Sequence, residues 1–232
     1  MQQVLITGAS RGIGLELTRQ IAARGDHVFA TCRSPQTAEA LQTLATHHPE
    51  HITVLALDVT DDAQIEAAYH AVSARTGALD VLINNAGVFP RSEHLDTLDK
   101  ATLLNTLHIN AVGPLMVSRR FIDLLQHSDR PKLINITSQL GSISRKTSGG
   151  SYSYCGSKAL LNMLTRALAF EVRPLGVTAI MLHPGWVQTD MGGSGASLRV
   201  EEAVAGMLRV IDGLTPEDTG RFLQWDGREL PW

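Results

Sequence analysis

Cysteine is nearly missing from this sequence: its 232 residues hold two, Cys32 and Cys155, too few for a disulfide scaffold and without any metal-site spacing. A reducing compartment, the cytoplasm, is the expected setting. No sign of charge dominates either. Twenty Lys plus Arg stand against 23 Asp plus Glu, a net charge of −3 with the charges scattered, so neither nucleic acid nor an anionic membrane surface is an expected partner. No apolar run approaches the ~18 residues that suggest a membrane span, and no basic leader precedes the first apolar run at Val4. A presequence and a membrane anchor are therefore not expected. Internal repeats and Pro-, Gly- or Ser-rich linkers are absent too, so residues 1–232 are expected to form one domain. What is present, 44% hydrophobic and 19% charged residues, suffices for a large core.

Short apolar runs recur at 4–7, 27–31, 52–57, 81–83, 133–137, 178–182 and, weakly, 222–223. Most are continuously apolar rather than alternating, the pattern of a parallel strand covered on both faces. Helical patterns fill the intervals near 12–24, 36–46, 61–76, 100–126, 154–173 and 200–213. Right-handed crossovers between parallel strands place such helices on both sides of one sheet. The expected fold class is α/β, a Rossmann-type doubly wound parallel sheet of about seven strands. Asp61 with Gln64 three residues on is a helix start signal, and Gly25 sits where the first helix should stop. Two glycine-rich stretches, 141–153 and 192–197, follow the fifth and sixth strands at the edge where open α/β sheets bind ligands. Loops near 139–153 and 190–200 are thus the candidate substrate loops.

The segment Val4-Leu5-Ile6-Thr7-Gly8-Ala9-Ser10-Arg11-Gly12-Ile13-Gly14 passes from an apolar strand through a glycine turn into a helix. Residues without Cβ let the backbone approach a pyrophosphate closely, and free N–H groups with the helix dipole favour its charge. An isolated glycine turn can equally be structural. Further motifs accompany this one: Leu57-Asp58-Val59, Asn84-Asn85-Ala86-Gly87, Asn110, Ser138, Tyr154-x-x-x-Lys158 and Pro184-Gly185. With the Gly-x-x-x-Gly-x-Gly spacing and this chain order, the sequence resembles the short-chain dehydrogenase/reductase family. Residues 138–143, 184–191 and 226–232 are similar to its C-factor-like and sniffer-type carbonyl reductase branch.

The resemblance implies a nicotinamide dinucleotide held by Gly8, Ser10, Arg11, Gly12, Ile13 and Gly14, with Asp58 and Val59 at the adenine. Asn85, Ala86 and Gly87, then Pro184, Gly185, Val187 and Thr189, complete the implied cofactor set, together with Tyr154 and Lys158. Enzymes of this kind that use NAD place an acid about 20 residues past the turn to hold the ribose 2′-hydroxyl. Here Cys32 occupies that position and Arg33 follows it. Arg33 and Arg11 suit a 2′-phosphate, although either could be an ordinary surface charge. NADP(H) is therefore expected in preference to NAD(H).

Tyr154 and Lys158 lie one helical turn apart on one face. A free phenol titrates near ~10, and a nearby positive charge eases its ionisation. By resemblance, Tyr154 gives a proton to a carbonyl oxygen that receives hydride at carbon, Ser138 orients the oxygen, and Asn110 holds a water in a relay from Lys158. Taken singly, each residue has a structural alternative: a surface pair, a strand-end cap, a polar helix residue. Tyr152 competes poorly with Tyr154, since Gly156 stands four residues on. Sixteen positions separate Ser138 from Tyr154, more than the family's usual gap, and Ser142 is the fallback serine.

Few residues lie between Thr189 and the helix starting near Glu201, where many family members carry a longer lid. An open, permissive site for an aldehyde, ketone or quinone is expected, with Trp186 and Met191 as apolar walls. The helix at 159–170 is apolar on more than one side and needs a second buried contact. By resemblance, that contact is a homodimer or homotetramer built through the long helices. The leading functional expectation is an NADPH-dependent carbonyl reductase. Alcohol oxidation in the reverse direction uses the same groups, and a dinucleotide-binding regulator with little turnover is the rival from another class.

Overall fold

A computed structural model describes all residues, Met1–Trp232. Seven strands, β1 (Gln3–Ile6), β2 (His27–Cys32), β3 (Ile52–Ala56), β4 (Val81–Asn84), β5 (Lys132–Ile136), β6 (Thr178–His183) and β7 (Phe222–Gln224), form one sheet in the order β3-β2-β1-β4-β5-β6-β7. All pairings are parallel. Chain order reverses between β1 and β4, which opens a crevice beyond the carboxyl ends of those strands.

Side-chain alternation divides the core in two. Val4, Ile6, Val28, Ala30, Ile134 and Ile180 pack with α1 (Gly12–Ala23), α2 (Glu39–His47) and α7 (Val200–Gly213) through Leu17, Ile21, Leu41, Val204 and Met207. Leu5, Phe29, Leu82 and Leu133 pack the other way, against Ile65, Val117, Phe121 and Val172 of α3 (Asp62–Ser73), α5 (Gly113–Leu125) and α6 (Tyr152–Val172). Both faces are covered, which accounts for the continuously apolar strand sequences.

Helix starts follow local chemistry in two cases. Asp61 accepts the N–H groups of Ala63 (2.9 Å) and Gln64 (3.2 Å) to cap α3, and Asp99 accepts Thr102 N–H at 2.7 Å to cap α4 (Lys100–Leu107). The helix expected over 100–126 is interrupted: a π-helical turn, His108–Val112, separates α4 from α5. Helix α2 starts three residues late, after a 3-10 turn at Pro35–Thr37, because proline suits a first turn but gives no N–H to continue from. Helix α6 starts at Tyr152, two residues before the expected position.

Candidate active site

The glycine turn after β1 is built by steric necessity. Gly8 and Gly12 adopt left-handed backbone (φ +69° and +55°). A Cβ on Gly14 would stand 2.3 Å from the Gly8 carbonyl oxygen, and one on Gly8 would stand 2.8 Å from Ala86 Cα. The end of β4 locks the turn: Asn85 Nδ2 donates to the Thr7 and Gly8 carbonyls at 3.0 Å, while Thr7 Oγ1 accepts from the N–H groups of Asn85 and Ala86. Helix α1 then begins at Gly12, with no side-chain cap from Arg11 before it and no acid in its first turn. Its N–H groups face the crevice uncapped, the arrangement that suits a pyrophosphate.

Around this turn lie the other residues singled out by motif. Ser10 and Ile13 are half-buried within it. Asp58 Oδ1 accepts from the Thr60 N–H (2.9 Å) and hydroxyl (2.7 Å), and Val59 is buried beneath Gly113. Thr189 approaches the turn, its Cγ2 standing 3.4 Å from where a Gly12 Cβ would be. Pro184 and Val187 are buried, and Gly185 has left-handed backbone beside Leu198 and Trp225. Arg33 is exposed and makes no ion pair. Arg11 is bound instead to Asp190, Nη1 to Oδ2 at 3.0 Å, with both side chains about three-quarters exposed.

Ser138, Tyr154, Lys158 and Asn110 converge between β5 and α6. Ser138 stands two residues past β5, where its Oγ accepts the Leu140 N–H at 3.1 Å and eases ionisation of the nearby Tyr154 phenol. Burial pushes the Tyr154 phenol up to about 12, and Ser138 pulls the other way. The Lys158 ammonium donates to the Ile136 carbonyl at 2.9 Å and lies 5.8 Å from the Tyr154 ring centre. Desolvation brings Lys158 down to about 8. Gly141 makes this closeness possible: its Cβ would meet the Lys158 backbone at 2.7 Å. Asn110 is fully buried in the π turn; its Oδ1 accepts Val88 N–H at 2.8 Å, and its Nδ2 donates to Val88 O and Ser157 Oγ. Gly87 lies between Asn110 and Lys158, its Cβ position 3.3 Å from Asn110 Oδ1 and 3.8 Å from Lys158 Nζ.

The long gap before Tyr154 is absorbed by the exposed segment 143–149, so Ser138 keeps its place beside the phenol. Ser142, the fallback, is buried next to Ser144 instead. Tyr152 is exposed at the start of α6. Residues missed by motif reasoning come from the irregular segment after β4: the Phe89 ring lies 4.5 Å from the Tyr154 ring, and Glu93 binds the first turn of α6. No spacing or composition marks that segment. Trp186 is 55% exposed with Nε1 on Gly192 O, and Met191 is half-exposed, so the apolar walls stand open to solvent. His183 is buried and held down to about 4 by desolvation, hence neutral at pH 7. A charged cavity of about 350 Å³ at the opposite sheet edge is lined by Arg24, Asp26, Lys132 and Asp212, which already bind one another or nearby carbonyls.

A sequence profile described as short chain dehydrogenase matches residues 2–197. The chain belongs to the short-chain dehydrogenase family. The chain is 47% identical to C-signal of Myxococcus xanthus over 162 residues, 70% of this chain and 98% of that protein. It superposes on the carbonyl reductase Sniffer of D. melanogaster with a TM-score of 0.95 at 34% identity, covering all of both chains. A carbonyl reductase from chicken fatty liver, solved with NADPH bound, gives 0.94 at 39% identity over 100% of this chain and 99% of that one. The C-factor-like and sniffer-type branch expected from residues 138–143, 184–191 and 226–232 is thereby shown. The chain is a family oxidoreductase by descent, and none of its helices is long and apolar enough to cross a membrane.

Proposed function

We propose that this protein is an NADPH-dependent carbonyl reductase acting on an aldehyde, ketone or quinone, with Tyr154 as proton donor. The observation that carries the reading is the buried Lys158 ammonium 5.8 Å from the Tyr154 ring, with Ser138 beside that phenol, at the sheet edge that also holds the uncapped glycine turn. The cofactor fits that cradle because Gly8 and Gly14 let the turn fold tightly against Ala86 and Asn85, and the first N–H groups of α1 have neither a side-chain cap nor an acid beside them. Gly8, Ser10, Gly12, Ile13 and Gly14 hold its pyrophosphate, Asp58 and Val59 its adenine, and Arg11 and Arg33 its 2′-phosphate. Asn85, Ala86, Gly87, Pro184, Gly185, Val187 and Thr189 line the rest. When bound, the cofactor supplies hydride to the carbonyl carbon.

The chain's own groups manage the oxygen. Ser138 Oγ and Tyr154 Oη donate hydrogen bonds to it, which stabilises the charge that develops there. Tyr154 then transfers its Oη proton to that oxygen, and the Lys158 ammonium stabilises the phenolate left behind. Asn110, in the π turn behind Lys158, holds the path by which solvent restores the proton. The same groups run backwards for alcohol oxidation.

The exposed side chains of Leu104 on α4 and of Met163 and Phe170 on α6 support pairing of two copies through the long helices. The two free cysteines, Cys32 buried and Cys155 half-buried, suit the cytoplasm. The 47% identity to C-signal favours one second reading, a dinucleotide-binding regulator with little turnover.

Loss of reduced-nicotinamide absorbance across aldehyde, ketone and quinone panels decides between them. Turnover with NADPH is expected, with Tyr154→Phe reducing it by about a hundredfold or more while NADPH binding persists. Tight NADPH binding without turnover of any compound selects the regulator.

A further inference from the structure

The segment leaving β4 touches the active centre at four successive points. Val88 is held at both its N–H and carbonyl by Asn110, and the Phe89 ring packs on that of Tyr154. Arg91 donates to the Asp190 and Met191 carbonyls across the crevice mouth. Glu93 reaches the first turn of α6: its Oε2 accepts the Ser153 N–H at 2.6 Å and its Oε1 accepts the Ser153 hydroxyl. The Glu93 carbonyl also accepts Ser151 N–H at 3.0 Å.

Glu93 is a buried carboxylate, 7% exposed, that forms no ion pair. Such a group is costly to bury unless donors compensate it. Here the compensation is the amino end of α6, whose orphan N–H groups and dipole favour a negative charge. The helix lacks a cap of its own, since Ser151 makes no side-chain cap bond. Two non-glycine residues in the chain have left-handed backbone, Ser92 (φ +58°) and Ser151 (φ +51°), and both adjoin this contact. Strain of that kind persists where surrounding contacts over-determine the geometry, and it clusters at functional sites.

We propose that Glu93 is a positioning residue for Tyr154, capping α6 from outside the helix and so fixing where the phenol hydroxyl meets Ser138. The inference rests on the reading of Tyr154 as proton donor. Tyr154 follows Ser153 directly, so a first turn freed to shift or unwind carries the phenol with it, and Phe89 on the same segment supports the ring from the side. A reacting group displaced by about 1 Å loses on the order of a hundredfold in rate. Lys158, one turn deeper, is held separately by Ile136 and Gly141, so cofactor contacts survive the loss of the cap.

Steady-state kinetics with NADPH and 4-nitrobenzaldehyde, NADPH binding by fluorescence and ultraviolet titration of the Tyr154 phenol test this together. Glu93→Ala is expected to lower kcat by about ten- to a hundredfold with NADPH affinity held within about twofold. Its phenol midpoint should fall from about 12 toward the ordinary ~10 as the ring loosens into solvent. Glu93→Gln, whose amide oxygen still accepts the Ser153 N–H, should recover most of kcat. Unchanged kcat in Glu93→Ala, or loss of kcat only in step with loss of NADPH binding, overturns the proposal. Should Glu93→Ala not fold, Ser153→Ala removes the hydroxyl contact alone and is expected to lower kcat by about three- to tenfold; wild-type kcat there overturns it as well. Absence of turnover in the wild type defeats the reductase reading instead, and the phenol titration still decides the role of Glu93.

Discussion

Lys158 is an ammonium with no carboxylate on it, buried and satisfied by one carbonyl at 2.9 Å. Its folded pKa of about 8, against 10.5 for an ordinary lysine, means that the folded state binds the proton less tightly than the unfolded chain. Below pH 8 the lysine is charged in both states and the burial penalty is fully present; as pH rises from 8 to 10.5 the folded protein releases the proton first and stability increases. The penalty at neutral pH is on the order of 3 kcal/mol. Lys158→Met should therefore stabilise the cofactor-free protein by about 1–3 kcal/mol in urea unfolding at pH 7, with the gain vanishing above pH 10.5, while turnover is lost. A Met variant less stable at pH 7 would show that the ammonium is better satisfied than one carbonyl allows. Tyr154, up at about 12, stays protonated throughout this range. The fall of kcat/KM for reduction with rising pH should thus centre near 8 and belong to Lys158, and a profile flat to pH 10 would remove its charge from the mechanism.

At the level of elements, glycines decide how closely the pieces of the site approach. Gly14→Ala would drive a methyl into the Gly8 carbonyl at 2.3 Å and Asn85 Nδ2 at 2.5 Å, both held by other bonds. NADPH affinity is expected to fall more than about tenfold, with about 1–3 kcal/mol of destabilisation. Gly213→Ala, at the end of α7 with open space around it and no left-handed backbone, should be neutral or stabilising by about 0.4–1 kcal/mol. Equal effects of the two on binding would deny the turn its role as a cradle. The strands were legible to within a residue or two because burial on both faces leaves a continuous apolar run, as at Thr178–His183. The early start of α6 was not legible, since its cap, Glu93, lies 60 residues from Ser153. Nor was the π turn, because the bonds that hold Asn110 run to Val88 and Ser157 rather than to sequence neighbours. Motif residues carry spacing in the chain; the segment 88–94 carries its meaning only in space.

Across the whole molecule, the proposed preference for NADPH rests on two arginines at separate strand ends, Arg33 after β2 and Arg11 after β1, neither answered by an acid at Cys32. Arg33 is free, whereas Arg11 is paired with Asp190 across the crevice. An ion pair as exposed as this one is worth about 0–1 kcal/mol, so exchange of Asp190 for a 2′-phosphate costs little, and a guanidinium binds phosphate in two-point fashion. A ligand that binds the folded state alone stabilises it by RT ln(1 + [L]/Kd), about 2.7 kcal/mol at a hundredfold excess over Kd. At equal concentration NADPH should thus raise the thermal midpoint more than NADH does. Arg33→Ala combined with Arg11→Ala should erase that difference while leaving the NADH shift in place, because the pyrophosphate cradle is untouched. Asp190→Asn, which frees Arg11 without adding a charge, should enlarge the NADPH shift alone. If NADH protects as well as NADPH in the wild type, both arginines are surface charges and the missing acid at Cys32 decides nothing; if Asp190→Asn weakens both cofactors equally, the ion pair closes the crevice rather than competing for the phosphate.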